Sequence, residues 1–150
     1  MRISIASIAV AACLLLAGCE ADNNPAHPTP ASLTVTLEQF GAEGLILSDV
    51  VSGDAGCSNG DLSNKAISFD ARGFDQVTPT RIYFYGFRNR ATFEQLVSTI
   101  DACARSYVTD PSAYGSIQAS PFVLAGPGPW APQFQDHLRH ALVVAAGNGG

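Results

Sequence analysis

The side chains best suited to chemistry lie near the C-terminus, in the run Asp136, His137 and His140. Two histidines three apart share one side of a helix, so both imidazoles can point at one metal ion. A third ligand is needed, and no flanking cysteine or glutamate offers one. The plainer reading pairs Asp136 with His140, one helical turn on, as a surface ion pair worth a few tenths of a kcal/mol, roughly. No metal or cofactor is therefore assigned. Asp49, Asp54 and Asp61 match no D-x-D-x-D-G calcium loop and read as turn and capping carboxylates. Gly126-Pro127-Gly128 cannot cradle a phosphate, because proline removes amide donors and no G-K-S/T follows. No catalytic residue is assigned.

A second constellation is aromatic and cationic. Arg81, Tyr83, Tyr85 and Phe87 occupy alternate positions, with Arg88 and Arg90 just beyond and Trp130 held between prolines in Gly126-Pro127-Gly128-Pro129-Trp130. Aromatic rings and arginine dominate binding hot spots, which makes Arg81, Tyr83, Tyr85 and Trp130 the candidate contacts for a peptide, glycan or partner domain. The competing reading makes these rings a second layer of core under the N-terminal segment.

The N-terminus carries an address. Met1-Arg2 supplies one positive charge, and Ile3 to Leu16 is apolar apart from Ser4 and Ser7, too short for a comfortable membrane span. The run ends in Leu16-Ala17-Gly18-Cys19, which resembles the lipobox of a bacterial lipoprotein precursor. That resemblance covers about the first twenty residues. It implies removal of a signal peptide, residues 1–18, and a diacylglycerol on the Cys19 thiol. It also implies a place in the cell envelope, anchored by lipid on the extracytoplasmic side of a membrane. The alternative is an ordinary secretory signal with an incidental cysteine.

Export sorts the remaining cysteines. Cys13 leaves with the signal and Cys19 takes lipid, so Cys57 and Cys103 remain. One disulfide is the simplest outcome, worth about 4 kcal/mol on the chain-entropy model. A metal pair or two separate buried thiols are the alternatives. Losing Arg2 takes the formal net charge from −5 to −6. Such a balance excludes nucleic acid as a partner and leaves membrane contact to the lipid.

The elements that must position these residues follow from periodicity. Residues 19–32 hold three prolines and no bulky apolar residue, a solvated tether in which His27 stands alone. Residues 33–147 form the globular domain, and 148–150 should fray. Leu33, Val35 and Leu37 alternate as a half-buried strand or an extended lead-in. Phe40 to Val51 is ambiguous, since Gly41 and Gly44 weaken a helix. Ser52 to Asn64 is a loop containing Cys57.

Ala66 to Ala71 is a strand with Ile67 and Phe69 inward and Ser68 and Asp70 outward, paired antiparallel with Thr80 to Phe87. The latter strand is apolar on both faces. A helix then sets Phe93, Leu96, Val97, Ile100, Cys103 and Tyr107 on one stripe, started by Asn89 or by a capping box at Thr92 and stopped at Asp110-Pro111. Ser116 to Ala125 reads as one strand bent at Pro121. The last helix starts near Pro132, buries Phe134, Leu138, Ala141, Leu142 and Ala145, and stops at Gly147.

This order predicts an α+β domain: an antiparallel sheet of three to five strands, two main helices packed on one face, and one disulfide. Gly86 would admit the long helix close to its strand. The expected function is non-catalytic binding or sensing in the envelope. A small envelope hydrolase with scattered residues, or a structural envelope part, is the rival. Cys19→Ser is expected to abolish lipid labelling and leave an unprocessed or differently cut precursor. Metabolic labelling with a radioactive fatty acid checks it, and normal acylation of the variant would refute the lipobox.

Overall fold

The aromatic run ending in Phe87 is the middle of a sheet. The computed structural model describes residues 33–147. Its elements are helix α1 (Leu33–Ala42), strand β1 (Ile46–Ser52), a single turn α2 (Gly60–Ser63), β2 (Ala66–Gly73), β3 (Gln76–Gly86), α3 (Arg90–Ala104), β4 (Tyr114–Ala119), β5 (Phe122–Pro127) and α4 (Pro132–Ala146). The expected signal peptide, Cys19, the expected tether with His27 and residues 148–150 lie outside the described residues. The strands form one five-stranded antiparallel sheet in the order β1-β2-β3-β5-β4. The α+β antiparallel architecture and the Cys57–Cys103 bond are those expected, with Cα atoms 5.5 Å apart.

The helices divide between the two faces of the sheet rather than sharing one. Ile67, Phe69, Ile82, Phe84, Phe122 and Leu124 pack with Phe40 of α1 and with Phe134, Leu138 and Leu142 of α4. On the other face Tyr85, Phe87, Val123 and Ala125 pack with Ile100 and Cys103 of α3 and with Leu62 of α2. A strand that is apolar on both sides makes this division necessary. Each ring left in water would forfeit roughly 1.5–3 kcal/mol of burial, so β3 needs a cover on each side.

Three local expectations give way to packing. Leu33 to Leu37 is helical, because Leu33, Thr36, Leu37 and Phe40 fall three or four apart and turn inward together, leaving Val35 outside. Ser116 to Ala125 is a hairpin, not one bent strand: β4 and β5 pair from Tyr114↔Pro127 to Ala119↔Phe122, with Ser120-Pro121 at the turn. Pro121 therefore sits between strands, where no ladder donor is required. The helix α3 ends at Ala104, before Asp110-Pro111, and Asn89 is its N-cap, accepting from the Thr92 amide at 2.9 Å. Pairing of β2 with β3 is antiparallel as expected, in the register Ile67↔Phe84 and Phe69↔Ile82. Ser68 does face away from that core, but it is fully buried beneath the loop that follows β1.

Glycines set close approaches on the α4 face. A methyl group at Gly86 would touch Leu33 of α1, so α1 and not α3 uses that gap. Trp130 lies flat over two glycines that pair across strands, Gly115↔Gly126. A Cβ at Gly115 would come within 2.5 Å of the indole, and one at Gly126 would strike the Arg81 carbonyl. The indole Nε1 donates to Pro127 O at 2.8 Å, which satisfies its polar atom where the ring is 6% exposed. Gly126→Ala is expected to cost about 1–3 kcal/mol of overpacking. Urea denaturation should read that loss as a lower midpoint at unchanged slope, whereas an unchanged midpoint would contradict this packing.

Candidate functional site

Arg81 organises the sheet face that carries α3. Its Nε meets Asp70 Oδ1 at 3.0 Å across the β2–β3 pair. Its Nη1 donates to the Asp49 carbonyl at 3.0 Å and to Ser68 Oγ at 3.3 Å. The Ser68 hydroxyl in turn donates to Asp54 Oδ2 at 2.6 Å. Asp49 has a positive φ of 49° inside an irregularity of β1 between Ser48 and Val51. The guanidinium therefore ties a strained bulge of the edge strand to the sheet centre. This network explains why Ser68 is buried without an orphaned hydroxyl.

The four candidate contacts do not form one surface. Arg81, Tyr83 and Tyr85 share a face, but Tyr85 is sealed and its hydroxyl donates to Ala55 O at 2.8 Å. Tyr83 is half-buried and stacks on Tyr107, with ring centroids 4.4 Å apart. Trp130 packs on the opposite face. Burial pushes the Tyr83, Tyr85 and Tyr107 hydroxyls upward, so all three stay protonated at neutral pH. The Tyr107 hydroxyl, buried beside Tyr85, has no hydrogen-bond partner among the described residues. Around Arg81 most of the aromatic surface is thus second-layer core, the competing reading, although its cover is α3 and the disulfide-bearing loop instead of the N-terminal segment.

What remains open is the half of that face beyond α3. Strand register places Ile46 beside Arg72 and Val51 beside Ser68, and Val77 stands on β3 opposite the register shift between Ala71 and Gly73 that contains Arg72. These side chains are 52% (Ile46), 47% (Val51) and 80% (Val77) exposed, and Arg72 is exposed among them. The result is a shallow apolar strip along an edge strand, with one cation on it and the Asp70–Arg81 pair at its inner rim. Such a strip can take up an extended chain or a flat ring by contact; it holds no reactive group. None of its exposed residues was a candidate by sequence, since an exposed strand valine and a buried one look alike until the cover is known.

The histidines have a different partner from the one expected. His140 turns to Glu43, with Nδ1 2.8 Å from Oε1, and His137 Nδ1 lies 3.5 Å from Oε2. Glu43 follows the end of α1, so the contact joins α1 to α4 across 94 and 97 positions. The carboxylate takes both ring nitrogens itself, and among the described residues no group of three His, Cys, Asp or Glu side chains is arranged to hold a metal ion.

Asp75, in the β2–β3 turn, performs a second long-range task. The residue before α4 is Ala131, which has no capping side chain. Asp75 replaces it, accepting from the Gln133 amide at 3.0 Å and the Phe134 amide at 2.9 Å.

No protein-family model, curated protein or solved structure matches the chain.

The Asp75 cap has a defined pH signature. Burial works to raise its carboxyl, but the amides of Gln133 and Phe134 overcome that and hold it below its ordinary value of 3.8. A depressed carboxylate contributes stability that is complete above the unfolded value and is lost as pH falls through the folded one. Asp75→Ala should therefore lower the urea midpoint at pH 7, and the gap from wild type should narrow as pH falls below 3.8. A gap independent of pH would refute the cap.

Proposed function

We propose that the protein is a lipid-anchored, non-catalytic binding module of a bacterial cell envelope, held to the extracytoplasmic side of a membrane through Cys19. Among the described residues no helix is long and apolar enough to cross a membrane. Leu16-Ala17-Gly18-Cys19 supports the anchor. The observation that carries binding is the open apolar strip of Ile46, Val51 and Val77 beside Arg72, on a face that α3 and the disulfide-bearing loop cover elsewhere. A monomeric domain gains nothing in stability from such side chains in water, and edge strands are normally protected from wrong pairing.

Chemistry is a poorer account of the same molecule. The Ser68 hydroxyl is buried and committed to Asp54. Cys57 and Cys103 are joined, and both imidazoles are directed at Glu43. Nucleophilic catalysis needs an accessible nucleophile within reach of a base, and these groups are occupied with each other. The fitting partner is an envelope peptide or glycan, which an apolar strand face with a flanking arginine can hold by contact.

Val77→Asp and Arg72→Glu test the proposal, because both residues are exposed and surface changes usually stay within about 0.5 kcal/mol of neutral. Each should abolish retention of solubilised envelope peptides or glycan fragments on the immobilised protein while leaving the thermal midpoint unchanged. Undiminished retention by both variants would remove this face from the function. Tyr83→Ala serves as contrast: it should lower the midpoint, since its ring supports Tyr107.

A further inference from the structure

The corner where α1, the β2–β3 turn and α4 meet carries a titratable group that the binding strip does not use. Glu43 receives both imidazoles of α4, at 2.8 Å from His140 and 3.5 Å from His137. Its carboxylate is largely shielded, with 18% of the side chain exposed, while His140 stays 65% exposed and open to solvent protons. The Phe74 ring stacks flat on His137, with centroids 3.7 Å apart and planes 3° from parallel. Phe74 is itself seated on Gly44, whose positive φ of 87° and missing side chain leave room for the ring. His137 is thereby oriented from one side by an aromatic face and from the other by a carboxylate.

The elements packed at this corner carry few other charged groups. On α4, Asp136 and Arg139 are the neighbours of the two histidines. On α1 the one further charge is Glu38, which is exposed. From the β2–β3 turn comes Asp75, whose oxygens are taken by the Gln133 and Phe134 amides. Strand β4, which also packs on α4, carries no charged residue. Gln39 of α1 adds only a neutral donor to Glu43 Oε1, at 3.5 Å.

We propose that Glu43, His137 and His140 form a proton-operated clamp that fastens the end of α1 to α4 as the imidazoles take up protons. With neutral rings the corner holds by hydrogen bonds alone. Once the rings are cationic, the same contacts become charge-assisted and α1 tightens onto the sheet. Imidazoles change charge near pH 6.5, roughly, so mild acid closes the clamp. Stronger acid undoes it. The His140 hydrogen bond is the main reason that Glu43 is held below its ordinary value of 4.5, and the clamp fails as pH falls through that lowered value. The device acts on the helix that immediately follows residues 1–32, so proton concentration would set how firmly the domain holds its own N-terminal helix.

Amide exchange in the whole protein tests this, with rates corrected for intrinsic chemistry at about pH 5.5 and about pH 8, either side of the imidazole range. The reporters are the amides of Glu43, Gly44 and Leu45, which donate to the carbonyls of Gln39, Gly41 and Phe40 at 3.0–3.1 Å. Their protection should be about two- to five-fold greater at the lower pH, the scale of an exposed charged pair, with the β2–β3 ladder unchanged. The difference should vanish in Glu43→Gln and in the double variant His137→Gln/His140→Gln. Equal protection of the reporters at both pH values overturns the clamp, and so does a difference that survives in the double variant. Wild-type protein in about 1 M salt discriminates without any substitution: screening should shrink the difference, and an undiminished difference also overturns it.

Discussion

The double-sided burial of β3 is the constraint on which the rest of the structure depends. Ile82 and Phe84 point to one side and Tyr85 and Phe87 to the other, and all four are buried. A strand of this kind cannot stand at an edge or carry helices on a single face. It forces β2 and β5 to flank it, α1 and α4 to cover one side, and α3 with the Cys57–Cys103 loop to cover the other. The disulfide follows from the same demand. The loop bearing Cys57 is rich in glycine and has little apolar surface of its own, so a covalent tie to α3 fastens what packing alone would hold weakly.

Cover on the second side stops short of the sheet's far edge, and that shortfall leaves the strip to which binding is assigned in the proposal. Beneath the cover, polar groups are satisfied through long-range bonds: Tyr85 to Ala55, and Ser68 to Asp54 and Arg81. Beyond it, Ile46, Val51 and Val77 stand in water. Arg81 sits at the border between these regions, tied to Asp70 and to the bulged edge strand. Truncating it would disturb the bulge and the buried serine together, which makes Arg81 a support for the strip more than a contact within it.

The opposite face is fastened at its corner by groups from distant parts of the chain. Asp75 supplies the cap that Ala131 cannot, Gln76 Oε1 accepts from the Ala131 amide at 3.1 Å, and Glu43 gathers the two histidines. The β2–β3 turn thus does more than reverse the chain. It starts α4 and, through Phe74, orients one member of the ionisable cluster. A helix whose start is capped from elsewhere depends on docking for that cap, since its own N-cap residue offers its first-turn amides no side-chain partner.

Much of what depends on neighbours in the chain was legible from the residues alone. The stripe of α3, the stripe and glycine stop of α4, and the inward Ile67 and Phe69 of β2 all rest on spacings of two, three or four positions, which the backbone geometry converts directly into faces. The pairing of Cys57 with Cys103 followed once the other cysteines had been assigned. Tertiary packing decided the rest. Leu33, Val35 and Leu37 fit either period, and only Phe40 and Thr36 seated in the core choose the helix. Pro121 marks a turn only after β4 and β5 are seen to pair. Tyr85 and Trp130 look like contacts until α3 and the two paired glycines are found against them. Glu43 meets His140 across 97 positions, a distance over which no local pattern carries information. Burial and long-range pairing are properties of the assembled layers, so a residue's type announces what it can do, and its cover decides whether it does it.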